Sequence, residues 1–212
     1  MLSYIHANDL ARFPVLQSEM FRDRADQFKR RLNWDVSVDE NGLETDEYDA
    51  MNPLYVIWQA PTGRHGGSMR VLPTTGRCLT NDHFSEIAGG AITSPLIWES
   101  TRFCLSPNAG AHSARISAGL MLAGCEIGLN FGLKHTVGVF DPRMVRIYRA
   151  LGWSPEILGS LGEGRARICV GLWEFDRRTR DTLAEKAGVT THQAAAWFRM
   201  SFGAQDSPLA YA

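Results

Sequence analysis

From Ala114 to Leu133 the run ARISAGLMLAGCEIGLNFGL carries only two charges, Arg115 and Glu126. A helix with so little charge belongs inside a protein, not on its surface. It starts after the loop SPNAGAHS, near His112-Ser113, and ends near Gly132. β-rich runs surround it: LYVIWQA (54–60), SMRVLPT (68–74), PLIWESTRFCL (95–105), HTVGVFD (135–141) and RARICVGLWEF (165–175). The first two flank the turn material PTGRHGG and predict a hairpin. Residues 15–32 place Leu16, Met20, Phe21, Phe28 and Leu32 at helical spacing among charges, so one face meets a core. A short helix is expected at 82–89, an amphipathic one in PRMVRIYRALGW with Pro142 near its first turn, and two more in the tail. Residues 33–52 read as a polar, acidic loop. The elements make an α+β chain, or a mixed sheet with helices on both faces.

With 212 residues the chain suits a single domain. Apolar residues at 44% and charged residues at 21% exclude disordered and fibrous classes. The net charge of −1 gives no global reason to expect nucleic acid as a partner. Cys78, Cys104, Cys125 and Cys169 are dispersed, without metal-ligand spacing, and read as free thiols of a cytoplasmic protein. The N-terminus MLSYIHANDLARF lacks the features of a signal peptide, and no run reaches the roughly 18 to 20 apolar residues of a membrane span.

Three stretches look chemical. Asp35, Asp39, Glu40, Glu44, Asp46, Glu47 and Asp49 fall within 15 residues, interleaved with Trp34, Leu43 and Tyr48. Carboxylates beside aromatic rings can hold a cation, although a solvated acidic loop has the same composition. Arg70 lies on an expected strand ahead of Leu72-Pro73-Thr74-Thr75. Strict alternation along Trp98-Glu99-Ser100-Thr101-Arg102-Phe103 puts Trp98, Ser100 and Arg102 on one face and Glu99, Thr101 and Phe103 on the other.

Read in order, these residues resemble the LuxI-type acyl-homoserine-lactone synthase (autoinducer synthase) family. Arg24, Phe28 and Trp34 fit its N-terminal pattern in RADQFKRRLNWDV, and Glu44, Asp46 and Asp49 fit its acidic motif in LETDEYD. Arg70 falls in MRVLPTTGR, Phe84 in NDHF, and Glu99 with Arg102 in WESTRF. Ten positions so filled are far more specific than one short motif. The resemblance implies an acetyltransferase-like three-layer α/β/α sandwich around a mixed, mainly antiparallel central sheet. Within one domain it implies a mobile segment, about 1–52, over the S-adenosylmethionine site, an acyl and carrier half, about 95–175, and a helical tail, 176–212.

It also implies the chemistry. The amine of S-adenosylmethionine, a co-substrate, attacks an acyl thioester on acyl carrier protein or coenzyme A. The methionine carboxylate then displaces the sulfonium, giving a homoserine lactone and methylthioadenosine. No metal or tightly bound cofactor is expected, and the chain is expected to be a monomer or weak homodimer. A base must take the amine proton, a role assigned to Glu99 with Arg102 beside it, and backbone N–H groups around Phe103 to Leu105 would stabilise the oxyanion. Arg24, Phe28, Trp34, Glu44, Asp46, Asp49, Arg70 and Phe84 would bind S-adenosylmethionine or form an ion-pair network around it. Thr101, Phe103, Met121, Leu122, Cys125, Leu129, Val139 and Phe140 are expected along an acyl pocket. Many relatives carry threonines before the next helix where this chain reads Val139-Phe140-Asp141-Pro142-Arg143, which favours an unsubstituted acyl chain unless Thr136 or Thr101 supplies a hydroxyl. Arg143, Arg146 and Arg149 recur along one helix side, a docking face for an acidic carrier or a solvated one.

Two rivals remain. A plain acetyltransferase would carry a compact glycine-rich phosphate loop, which SPNAGAHSARISAG does not reproduce. LAEKAGVTTHQAAAWFR (183–199) mimics a helix-turn-helix, but its second helix offers few side chains for phosphates or base edges.

Overall fold

The computed structural model describes residues 1–164 and 167–203. Seven strands form a single sheet in the order β1-β2-β3-β4-β5-β7-β6. They are β1 (Leu2–His6), β2 (Leu54–Gln59), β3 (His65–Pro73), β4 (Ile97–Leu105), β5 (His135–Phe140), β6 (Glu156–Leu161) and β7 (Ile168–Glu174). Every neighbouring pair is antiparallel except β4 and β5. The helices are α1 (Ala7–Leu10), α2 (Pro14–Arg24), α3 (Leu79–His83), α4 (Ser113–Asn130), α5 (Met144–Leu151), α6 (Arg177–Ala187) and α7 (Thr191–Phe202). One face of the sheet packs Ile5, Tyr55 and Ile57 against Leu16, Met20 and Phe21 of α2. The other packs Val56, Met69 and Val71 against Ile116, Leu120 and Ile127 of α4, with Phe198 of α7 joining them. This is the expected three-layer α+β sandwich.

The nearly uncharged helix fulfils its constraint, since every residue from Ile116 to Gly128 is buried. Glycines let it approach the sheet: a Cβ on Gly119 would lie 2.2 Å from the Trp58 ring, and one on Gly128 would lie 2.3 Å from Phe175. Trp58 is held in turn by Trp197 at 6.4 Å, edge to face.

Several expectations change in detail. The helix begun by α2 does not stay α to residue 32; it widens into a π-helical turn, Ala25–Arg31. π turns are rare and often mark functional sites. The short helix lies at 79–83, N-terminal to its expected place, because Glu99 caps it from the sheet. β1 and β6 were not legible as strands. β1 is the edge strand beside β2, so the first residues belong to the sheet. In the tail, α7 buries Ala194 and Phe198 and sets Phe198 5.3 Å from Tyr4, so the helix-turn-helix look-alike packs as part of the core. The first residues of the strand expected at 165–175, and the end of the tail, lie outside the described residues. All four cysteines are buried and unpaired. No described helix is long and apolar enough to cross a membrane.

Gly119→Ala should destabilise the protein by about 1–3 kcal/mol, because the added methyl overlaps an indole pinned on two sides. A lower urea midpoint at unchanged slope is the expected reading.

Candidate active site

β4 and β5 pair only from Ile97, Trp98 and Glu99 to His135, Thr136 and Val137. Beyond that point they part, and a cavity of about 1620 Å³ opens between them. Gly138 sits where the strands diverge; a Cβ there would come within 2.9 Å of the Ser100 carbonyl oxygen. On one side the cavity is walled by Phe28, Trp34, Asp46, Tyr48, His83 and Phe84, and on the other by Met69, Met121, Gly124, Tyr148, Trp153 and Trp173. Ser100, Thr101, Arg102 and Phe103 lie between them.

Beneath the first wall, six charges close into a ring. Arg24 donates through Nε to Glu44 at 2.5 Å and through both terminal nitrogens to Asp49 at 3.0 and 2.9 Å. Asp49 also accepts from Arg70 at 2.8 Å and from the Tyr55 hydroxyl at 2.6 Å. Arg70 makes a forked pair with Asp46 and donates to Thr101 at 3.2 Å. Asp46 meets Arg102 at 2.8 Å, and Arg102 returns to Glu44 at 3.0 Å. Signs alternate around the ring, so the three positive and three negative groups neutralise one another. Burial alone would strip such charges; forked geometry and two partners each offset that cost. Burial lowers the Arg24 pKa, but the carboxylates of Asp49 and Glu44 outweigh it and hold the guanidinium charged. Burial raises Asp49, yet Arg24 and Arg70 together hold its carboxyl well below the usual range.

Local sequence builds each corner. Asp46 and Asp49 form a reciprocal capping box on the 3-10 turn Glu47–Met51, so both carboxylates serve the backbone as well as the arginines. Arg70 pairs with Tyr55 on β2 and Thr101 on β4, all on the α2 side of the sheet. Arg102 breaks the alternation expected of its strand. The β3–β4 register slips between Ser68 and Arg70, and Arg102 adopts φ +53°, a β-bulge. Its guanidinium therefore joins Glu44 and Asp46 on the side of Thr101, while Phe103 turns to pack with the α4 core. Arg102 also lies 5.4 Å over the Phe28 ring, whose other neighbour is Trp34, stacked at 5.3 Å and 17°.

The structure sorts the candidate residues. Phe28, Trp34, Asp46, Phe84 and Arg102 line the cavity. Arg24, Glu44 and Arg70 are buried behind it as ring members, and Asp49, partly exposed, completes the ring there. Thr101, Phe103, Met121, Val139 and Phe140 line it too, but Leu122 and Cys125 of α4 are fully buried and, like Leu129, are not on the cavity wall. Arg143 and Arg146 stand at its edge, with Arg143 paired to Asp141, whereas Arg149 is exposed off the wall. Glu99 departs most from expectation. It is fully buried, its oxygens accept from the amides of Leu79 at 3.1 Å and Thr80 at 2.5 Å, and it is not on the cavity wall. Strand alternation could not reveal this, because α3 covers that face. Tyr148, Trp153, Trp173 and Gly124 line the cavity without having been singled out; hydropathy alone makes them core. Burial and the nearby Glu99 carboxylate push the Cys78 thiol up to about 11, so it is no ready nucleophile. Among the described residues no group of three or more His, Cys, Asp or Glu is placed to hold a metal ion.

A family model described as autoinducer synthase matches residues 10–183. An acyl-homoserine-lactone synthase from Rhizobium etli is 38% identical over 182 residues, 84% of this chain and 85% of its own length. The crystal structure of the AHL synthase LasI superposes with a TM-score of 0.76 at 27% identity, covering 88% of this chain and 95% of LasI. A coenzyme-A-dependent synthase, BjaI, solved with S-adenosylmethionine and isopentyl-CoA, gives a TM-score of 0.79 at 23% identity over 89% of this chain and 90% of its own, a likeness of fold.

Asp49→Asn should cost about 3–5 kcal/mol at neutral pH by leaving Arg24 and Arg70 underpaired in the interior. Because the folded-state pKa is depressed, Asp49 stabilises above the ordinary carboxylate range and loses that effect as pH falls. Denaturation curves of variant and parent should therefore converge in acid.

Proposed function

The chain belongs to the autoinducer synthase family and is an acyl-homoserine-lactone synthase, and on that premise we propose how its residues divide the reaction. The supporting observation is a single cavity threaded through the cleft between β4 and β5, polar and aromatic at one end and apolar at the other. S-adenosylmethionine takes the end walled by Phe28, Trp34, Asp46 and Phe84; the acyl chain takes the end against α4 and α5. The amine attacks the thioester carbonyl at the cleft, an amide forms and the carrier thiol leaves. The methionine carboxylate oxygen then displaces the sulfonium, closing the lactone and releasing methylthioadenosine.

Because the ring is self-neutral, it supplies form and little net charge. It fixes the face of the Phe28–Trp34 stack, which suits a sulfonium or an adenine, and the edge of Arg102 that meets a carboxylate. The N–H groups of the bulge at Arg102 and Phe103 open where the thioester oxygen gains charge, and we assign them as its donors. Glu99, held under α3, acts as a positioning residue that sets His83 and Phe84 on the wall. His83, half exposed and 3.8 Å from Glu47, takes the amine proton. The donor is acyl carrier protein or acyl-coenzyme A, met by the exposed cations Arg143, Arg146 and Arg149.

Incubation with S-adenosylmethionine and a panel of acyl thioesters should yield methylthioadenosine and lactone, read by mass spectrometry. His83→Gln should lower kcat by about 100-fold with KM little changed. Glu99→Gln should act mainly on KM for S-adenosylmethionine. If instead Glu99→Gln alone depressed kcat by that factor in a stably folded enzyme, Glu99 would be the base.

A further inference from the structure

Most polar groups on the cavity wall are already committed. Thr136 donates to the Trp98 carbonyl at 2.9 Å and meets the Ser100 hydroxyl at 3.0 Å, and Thr101 accepts from Arg70. Tyr148 of α5 differs. It is nine-tenths buried, lines the cavity and has no hydrogen-bond partner among the described residues. Its ring is fixed edge to face against Phe140 at 5.3 Å and Trp173 at 5.1 Å, so the hydroxyl cannot swing away to seek one. Ser117 of α4 also lines the cavity without a partner, but a helical serine can turn back to the carbonyl four residues earlier, which a phenol cannot do. Burial raises the Tyr148 phenol well above its usual range, so it stays a neutral O–H that can donate and accept.

The hydroxyl faces the cavity, where only water can pair with it; a ligand oxygen that displaces that water takes over the bond, whereas a plain chain leaves the hydroxyl unpaired. Resting on the placement of the acyl chain in this half of the cavity, we propose that Tyr148 is a specificity-determining residue that hydrogen-bonds an oxygen substituent on the acyl chain. The shared chemistry is a keto or hydroxyl oxygen carried along an otherwise apolar chain. The phenol donates to either and accepts from the hydroxyl alone. This reverses the expectation of an unsubstituted chain drawn from the missing threonines: the oxygen is read from α5, not from the end of β5. Hydrophobic walls discriminate weakly, whereas a placed polar group rejects a chain that cannot pair with it.

The test compares β-hydroxy, β-keto and unsubstituted acyl thioesters of matched lengths, in the parent and in Tyr148→Phe, which keeps the ring and removes the oxygen. The parent should prefer an oxygenated chain. The variant should lose about tenfold in kcat/KM on that chain and stay within about twofold on the plain one. A loss confined to the β-hydroxy arm identifies the alcohol, and an equal loss on both arms identifies either oxygen as sufficient. Binding of the matching lactones, followed by thermal shift, reads the same contact without turnover: the oxygenated lactone should stabilise the parent more than the variant. Equal effects of the variant on oxygenated and plain chains, or equal stabilisation by both lactones, would overturn the assignment. Lactone formation from any thioester tests the synthase reading separately.

Discussion

The closed ring of Arg24, Glu44, Arg102, Asp46, Arg70 and Asp49 is the interaction on which the rest of the site depends. Its members come from a helix end, an acidic loop and two central strands, so none of these can move far without unpairing a charge inside the protein. Replacing one member exposes two partners of opposite sign to a low-dielectric interior, and that penalty is larger than the net worth of the ring itself. The ring is better understood as a device of specificity than of stability. It fixes which loop lies over the sheet and in what register, and thereby places Phe28, Trp34 and the edge of Arg102 on the cavity wall.

The sheet supplies the second constraint. β4 and β5, its parallel pair, share only three residue pairings and part beyond them, and the gap is the cavity. The bulge at Arg102 does two things at that gap. It sends the guanidinium across to the ring, and it frees Phe103 to pack with α4. A strand with regular alternation would have put Arg102 among the apolar side chains of the α4 layer.

The fold class was legible because its signals are local: a helix with almost no charge, five β-rich runs and a proline at a helix start. β1 escaped notice because LSYIH is too short to show a period, and β6 because EILGSL is exposed and interrupted by Gly159. The charged members of the ring were picked out together by the family resemblance, but their arrangement was not legible in it. Arg24 and Arg102 look alike in sequence, yet one is buried behind the wall and the other stands on it. That α3 covers Glu99, and that the amides of Leu79 and Thr80 reach its oxygens, was not legible from strand alternation. Trp153 and Tyr148 did not stand out, since an aromatic residue that lines a cavity has the same pattern as one that fills an interior.

The most direct test of the ring's role is hydrogen exchange of backbone amides in the parent and in Arg102→Gln. If the ring holds the loop on the sheet, protection should fall selectively between about residues 25 and 51, with α4, β5 and β7 unchanged. Unchanged protection in that stretch, or an equal loss through the whole protein, would contradict the account.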